Sequence, residues 1–289
     1  ELPGSEVALK DGEISLQWVA ANMGRVVTKG TDVKNGDERR INNVHVFLFG
    51  PDGEYLEPGN SGNDAFQGYR YLASGSTNWV LQTDMFADQT ETGAKNATVY
   101  VLANMPEGTF TGTSDDGKPD ELANGKTPME ALEAMTIAFP DGEFTAQMPE
   151  TGLPMVIKRE GVDLSNTAAN KIVALQLRSM MSRIDLNFTM VPLDSDGNLP
   201  SLEFMKVSVG NFPKGGKVVS QLVDWDGSTT GKVEETTGVE LNNEEVKEGL
   251  TGQVLRSGHP QSMTLYMFEH ARLAKDYDDY PMDEDEDSD

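Results

Sequence analysis

Glycine and proline, 29 and 14 of the 289 residues, fall between short stretches rich in Val, Ile, Leu, Phe and Thr and leave little room for long helical periods. That punctuation predicts short strands joined by turns, and so a mainly β chain. Glu13–Ala20 alternates, with Ile14, Leu16 and Trp18 on one face and Ser15 and Gln17 on the other, the pattern of a half-buried strand. Ile41–Phe49 is almost continuously apolar and stops at the turn Gly50-Pro51-Asp52-Gly53, which predicts a strand covered on both faces. Ala97–Asn104 is a further strand, ending at Met105-Pro106-Glu107-Gly108. Thr127 as N-cap, Pro128 at N1, and Met129, Leu132, Met135 and Thr136 at helical spacing predict one short helix over 127–137.

Turn residues cluster at Glu150-Thr151-Gly152-Leu153-Pro154, and a second set of strand patterns begins beyond them. A domain junction is expected there, dividing the chain into 1–153 and 154–289. Within the second part, Lys171–Met190 reads as one long strand with a bulge near Ser182, and Glu203–Gly210 and Ser262–Glu269 as two more strands. The last fourteen residues, Asp276–Asp289, hold nine acids and no base, a composition that predicts disorder.

Charge narrows the function. With 23 Lys and Arg against 48 Asp and Glu, the net charge is −25, which repels a phosphate backbone and an anionic lipid surface alike. There is no cysteine, hence no disulfide, thiolate metal site or thiol nucleophile. The three histidines, His45, His259 and His270, have no ligand spacing among them. Asp194-Ser195-Asp196-Gly197-Asn198 resembles the start of a calcium loop, but its glycine comes at the fourth position where the sixth is required, so a hairpin turn is expected. No nucleophile elbow, phosphate loop or dinucleotide fingerprint is present, and no catalytic residue, metal ligand or cofactor is assigned.

Between the first two strands, Asn22–Arg40 is polar and carries Arg25, Lys29, Lys34, Arg39 and Arg40 in a chain otherwise short of cations. It reads as an exposed loop open to proteases. In order along the chain, Ile14–Arg25, Ile41–Phe49, Ala97–Pro106, Leu153-Pro154-Met155, the Ser-Arg-Ile-Asp-Leu that closes Leu177–Leu186, and Leu265–Arg272 resemble the fimbrillins of anaerobic Gram-negative gut and oral bacteria. The last of these is similar to the family's Tyr-Met-x-Glu-Asn-x-Arg motif, with His270 in the place of Asn.

The resemblance implies two transthyretin-like β-sandwich domains with one or two short helices. It also implies a cell-surface fimbrial subunit supporting adhesion, exported as an outer-membrane lipoprotein with an acylated cysteine just upstream of Glu1. Assembly would follow cleavage by an Arg-specific protease, departure of the first strand, and entry of a donor strand from another subunit. Carried onto this sequence, the leaving strand is Glu13–Ala20 with Ile14, Leu16 and Trp18 as groove fillers. The cut is expected after Arg25, sixteen residues before Ile41, with Arg39 and Arg40 as rivals nearer the next strand. One departure stands out, because the chain runs from the Tyr-Met-x-Glu-like segment almost at once into Asp276–Asp289, so the second domain is expected to be incomplete. Adhesion would fall to exposed loops such as Gly59–Gly75. The alternative is a surface lipoprotein that binds carbohydrate or protein without polymerising, for which Tyr69, Tyr71 and Trp79 would supply the aromatic surface.

Overall fold

The structure, a computed structural model, describes residues 8–21, 37–56, 68–73, 75–86, 93–110, 117–123, 126–138, 150–165, 172–190, 202–204, 212–213, 215–219, 241–242, 253–255 and 260–268. Eight strands and a helix come first: β1 (Glu13–Ala20), β2 (Asn43–Phe49), β3 (Tyr69–Ala73), β4 (Asn78–Gln82), β5 (Ala97–Ala103), α1 (Pro128–Ala134), β6 (Thr136–Ala138), β7 (Met155–Val162) and β8 (Ile172–Ser179). Beyond them lie β9 (Met181–Phe188), β10 (Leu202–Glu203), β11 (Phe212–Pro213), β12 (Gly215–Lys217), β13 (Leu241–Asn242), β14 (Val254–Leu255) and β15 (Gln261–Phe268).

The main sheet has the order β3-β2-β5-β7-β8-β1-β4. Its ladder narrows to two pairs between β7 and β8, Met155↔Ser179 and Val156↔Arg178. Around that narrow corner β8, β1 and β4 face β2, β5 and β7, and one apolar cluster takes side chains from all six: Leu16, Val46, Leu81, Val101, Ile157 and Leu175 among them. The result is a β-sandwich. The strand expected to be covered on both faces is so covered, since Val44, Val46 and Leu48 of β2 enter this core while Phe47 and Phe49 enter a second one.

That second core lies on the outer side of β2 and β5, beneath α1 and β6. Thr127 caps α1 with a reciprocal capping box: its hydroxyl accepts from the Glu130 amide at 3.3 Å and its own amide donates to the Glu130 carboxylate at 3.2 Å. The helix is shorter than its sequence pattern, because Met135 turns extended and Thr136–Ala138 pairs antiparallel with β12. On the inner face of α1, Tyr100 and Lys158 converge on Glu133, Lys158 at 2.9 Å, and fasten the helix to β5 and β7.

Two sequence expectations change here. The turn at Glu150–Pro154 lies within the sheet, because β7 and β8, which follow residue 153, pair with β5 and β1, which precede it. The stretch expected as one bulged strand is two strands in different sheets, β8 and β9, parted at Met180. Ser179 Oγ accepts from the Met181 amide at 3.1 Å and donates to its carbonyl at 2.9 Å, so the hydroxyl serves the backbone where the ladder stops. β9 then pairs antiparallel with β15 from Met181↔Phe268 to Phe188↔Gln261. Met181 and Phe268 reach the second core, and Met263 and Leu265 form a small cluster with Ile184, Leu186, Phe188 and Phe204. The expected strand over 203–210 is described only through β10, the calcium-like turn and the acidic tail lie outside the described residues, and among the described residues no helix is long and apolar enough to cross a membrane.

Candidate functional site

β1 is an inner strand, parallel to β8 from Ser15↔Ile172 to Ala20↔Leu177 and antiparallel to β4 from Glu13↔Gln82 to Gln17↔Asn78. Its alternation decides its placement: Ile14, Leu16 and Trp18 are all 0% exposed and enter the inter-sheet core together. Burial of an aliphatic side chain of this size contributes roughly 1.5–3 kcal/mol, and an indole covers still more area. β1 therefore fills a groove that is costly to leave empty. Both its ends are tied. The amide and hydroxyl of Thr83 donate to the Gly12 carbonyl at 2.8 and 3.1 Å, and the Ala21 amide donates to Leu177 at 2.6 Å. Trp18 Nε1 donates to the Ser76 carbonyl at 2.6 Å, fixing the indole in the groove. Ser15, on the opposite face, is also buried, and its hydroxyl has no hydrogen-bond partner among the described residues.

Twenty-two residues separate the end of β1 from the start of β2. Arg25 lies outside the described residues. Arg39 is exposed at the end of a short 3-10 turn, Asp37–Arg39. Arg40 is exposed too, but its Nη2 donates to the Glu150 carbonyl at 2.8 Å, and its own carbonyl accepts from Asn104 Nδ2 at 2.8 Å. The chain is thus already fastened at Arg40, just before β2.

Asn104 is the bolt of that fastening. It ends β5 at φ 63, the left-handed region that Asn tolerates better than most residues. In that conformation its buried amide group is fully engaged: Nδ2 donates to Arg40 and Leu153, both at 2.8 Å, and Oδ1 accepts from the Asn42 amide at 2.8 Å. Gly152, itself at φ +86, packs so closely that a Cβ there would lie 2.7 Å from Asn104 Nδ2. Sequence reading singled out neither role, although a strand that stops on Asn before Met-Pro carries the signal of a left-handed turn.

A second group was also missed. Glu38 is 8% exposed and accepts from Arg183 Nη1 at 2.8 Å and from Tyr266 Oη at 2.7 Å. Arg183 and Tyr266 belong to the Ser-Arg-Ile-Asp-Leu and Leu-Tyr-Met-Phe segments and are register partners on β9 and β15. Burial, and next the bond to Glu38, push the Tyr266 phenol above its ordinary range, so it stays a donor.

Tyr69, Tyr71 and Trp79 do not form one platform. Trp79 enters the inter-sheet core, 8% exposed, with Arg70 over its ring. Tyr69 and Tyr71 stand against His45 on β2, with ring centroids at 6.1 and 4.8 Å. The Met105 carbonyl, 3.2 Å from His45 Nε2, can only accept, so that nitrogen carries the proton and Nδ1 accepts from the Tyr69 hydroxyl at 2.9 Å. Burial holds His45 neutral and lowers its pKa to about 4. His45 is a core residue, and among the described residues no group of three or more His, Asp or Glu is placed to hold a metal ion.

A tip fimbrial protein, Mfa3, from Porphyromonas gingivalis, solved with a C-terminal truncation, is 12% identical at a TM-score of 0.49, with 91% of this chain and 71% of that chain covered. A candidate cell adhesion protein from Parabacteroides distasonis is 17% identical at a TM-score of 0.54, with 91% and 71% covered, and shares the fold. No curated protein sequence matches the chain. The family model of the major fimbrial subunit protein (FimA) matches residues 13–192, from the first residue of β1 to just past β9. By that match over more than half its length, the chain belongs to the FimA family of fimbrial subunits, which are cell-surface proteins.

Proposed function

We propose that this protein is a structural or accessory subunit of a surface fimbria that assembles by exchanging β1 for a donor strand of another subunit and so supports adhesion. The observation that carries the reading is the place of β1: an inner strand that fills the core with Ile14, Leu16 and Trp18, joined to the next strand by a long connection containing arginines. A vacated inner strand offers backbone donors and acceptors on both sides together with apolar pockets, the arrangement used in β-augmentation. An Arg-specific protease supplies the trigger in this reading, and Arg25 suits it better than Arg40, whose side chain and carbonyl are both bonded. Family membership favours export as an outer-membrane lipoprotein.

Limited digestion of the folded protein with an arginine-specific endoprotease tests the reading, followed by mass spectrometry and size analysis with and without a synthetic Glu13–Ala20 peptide. Cleavage after Arg25, loss of β1 and uptake of the peptide or formation of oligomers is the expected result. No cleavage after Arg25, or a nick that leaves β1 and the monomer in place, overturns it.

A further inference from the structure

Glu38 is the one buried acidic side chain among the described residues. A carboxylate is taken out of water stably only where charged or hydrogen-bonding groups meet it. Here both partners come from the far end of the chain: Arg183 Nη1 on β9 and Tyr266 Oη on β15 donate to the same Oε1, at 2.8 and 2.7 Å. The guanidinium is itself held in place. Its Nε and Nη2 both lie 2.9 Å from Asp185 Oδ1, which also accepts from Thr264 Oγ1 at 2.7 Å. The β9–β15 pair thus presents a fixed, two-donor socket, and residue 38 plugs into it.

Directly after the plug come Arg39 and Arg40, the two arginines that rival Arg25 as protease targets. A protease must draw the residues around the scissile bond into its cleft in extended form, and so acts on locally unfolded backbone. The 37–40 segment resists this at three points: the Glu38 carboxylate, the Arg40 guanidinium on Glu150, and the Arg40 carbonyl under Asn104.

We propose that the β9–β15 pair latches residues 37–40, just ahead of β2, through Glu38, and that this latch withholds the bonds after Arg39 and Arg40 from arginine-directed proteolysis. A cut upstream of Asp37 leaves Glu38 seated in its socket. A cut after Arg39 or Arg40 would carry Glu38 away with the N-terminal piece and leave Arg183 and Tyr266 without their shared acceptor. The consequence for assembly rests on the strand-exchange reading, whereas the protection of the two bonds does not.

The test uses the full chain and an arginine-specific endoprotease, with each cleavage rate followed by mass spectrometry. Glu38→Gln, Arg183→Met and Tyr266→Phe are compared with wild type, and Tyr100→Phe, which breaks the partly buried bond to Glu133 beneath α1, serves as control. The latch predicts slow cleavage after Arg39 and Arg40 in wild type. In the three latch variants it predicts acceleration of at least about tenfold at those bonds, the effect of losing one hydrogen bond to a charged group, with no change in Tyr100→Phe. Equal rates in wild type and in both Glu38→Gln and Arg183→Met overturn it, as does equal acceleration by Tyr100→Phe, which would mean general destabilisation. Latch variants that open the Arg39 and Arg40 bonds while Arg25 stays uncut would sustain the latch and count against the strand-exchange reading; the reverse pattern would do the opposite.

Discussion

Single polar side chains hold this fold at places where the backbone ladder cannot. Asn104 is the clearest, since its left-handed φ of 63 and the three bonds of its amide group join the start of β2 to the turn before β7. Asn104→Ala is expected to destabilise the protein by about 2–4 kcal/mol in chemical denaturation, through lost hydrogen bonds and backbone strain together. Asn104→Gly, which relieves the strain alone, should lose less. His45 sets a pH limit. Its pKa, about 4 in the fold against 6.5 when exposed, means that the unfolded chain binds a proton between those values and the native state does not. Stability contributed by neutral His45 is complete above pH 6.5 and falls as pH drops toward 4, by up to about 3 kcal/mol. Urea midpoints at several pH values should fall more steeply for wild type than for His45→Phe, and equal slopes would remove His45 as the cause.

Among elements, β1 carries more of the sandwich than its eight residues suggest, because it is the middle strand of the β8–β1–β4 half. Among the described residues, β4 pairs with β1 alone, and β8 has otherwise only its two pairs with β7. Loss of β1 should therefore leave Asn78–Gln82 and most of Ile172–Ser179 unprotected in hydrogen exchange, while β2 and β5, paired on both sides, stay protected. A Glu13–Ala20 peptide should restore protection to β4 and β8 together, and restoration of one without the other would count against an exchange groove. Leu16→Ala, which empties a fully buried position, should lower stability by about 2–5 kcal/mol. How far such elements are legible in the sequence follows from the range of the forces involved. The alternation of Ile14, Leu16 and Trp18, the double burial of β2 and the Thr127 cap are local patterns, and the structure carries them. The junction placed at Glu150–Pro154 misleads because a turn inside a sheet and a turn between domains have the same composition, and only the pairing of β7 and β8 across it tells them apart. Glu38, in a run of charges, looks solvated until Arg183 and Tyr266, 145 and 228 residues away in sequence, are brought to it.

For the molecule as a whole, the net charge of −25 governs how copies meet. Two such chains repel at any separation that salt does not screen, and an apolar groove that receives a strand from a like-charged subunit must work against that field. Nine of the acids lie in the last fourteen residues, so this repulsion is concentrated near one end of the chain. Screening should help association more than it alters the groove, because Ile14, Leu16 and Trp18 are buried and uncharged. Raising NaCl from about 0.01 to 0.15 M shortens the screening length from about 30 to about 8 Å. If subunits associate through a groove vacated by cleavage, as proposed, the rate at which they do so should rise over that range, while uptake of a short peptide of low charge should change little. Stopped-flow light scattering for the subunits and tryptophan fluorescence for the peptide separate the two. A subunit rate that falls with salt would mean that attraction between opposite charges steers the encounter, and would direct the search for the docking face to the sparse cations instead of the groove.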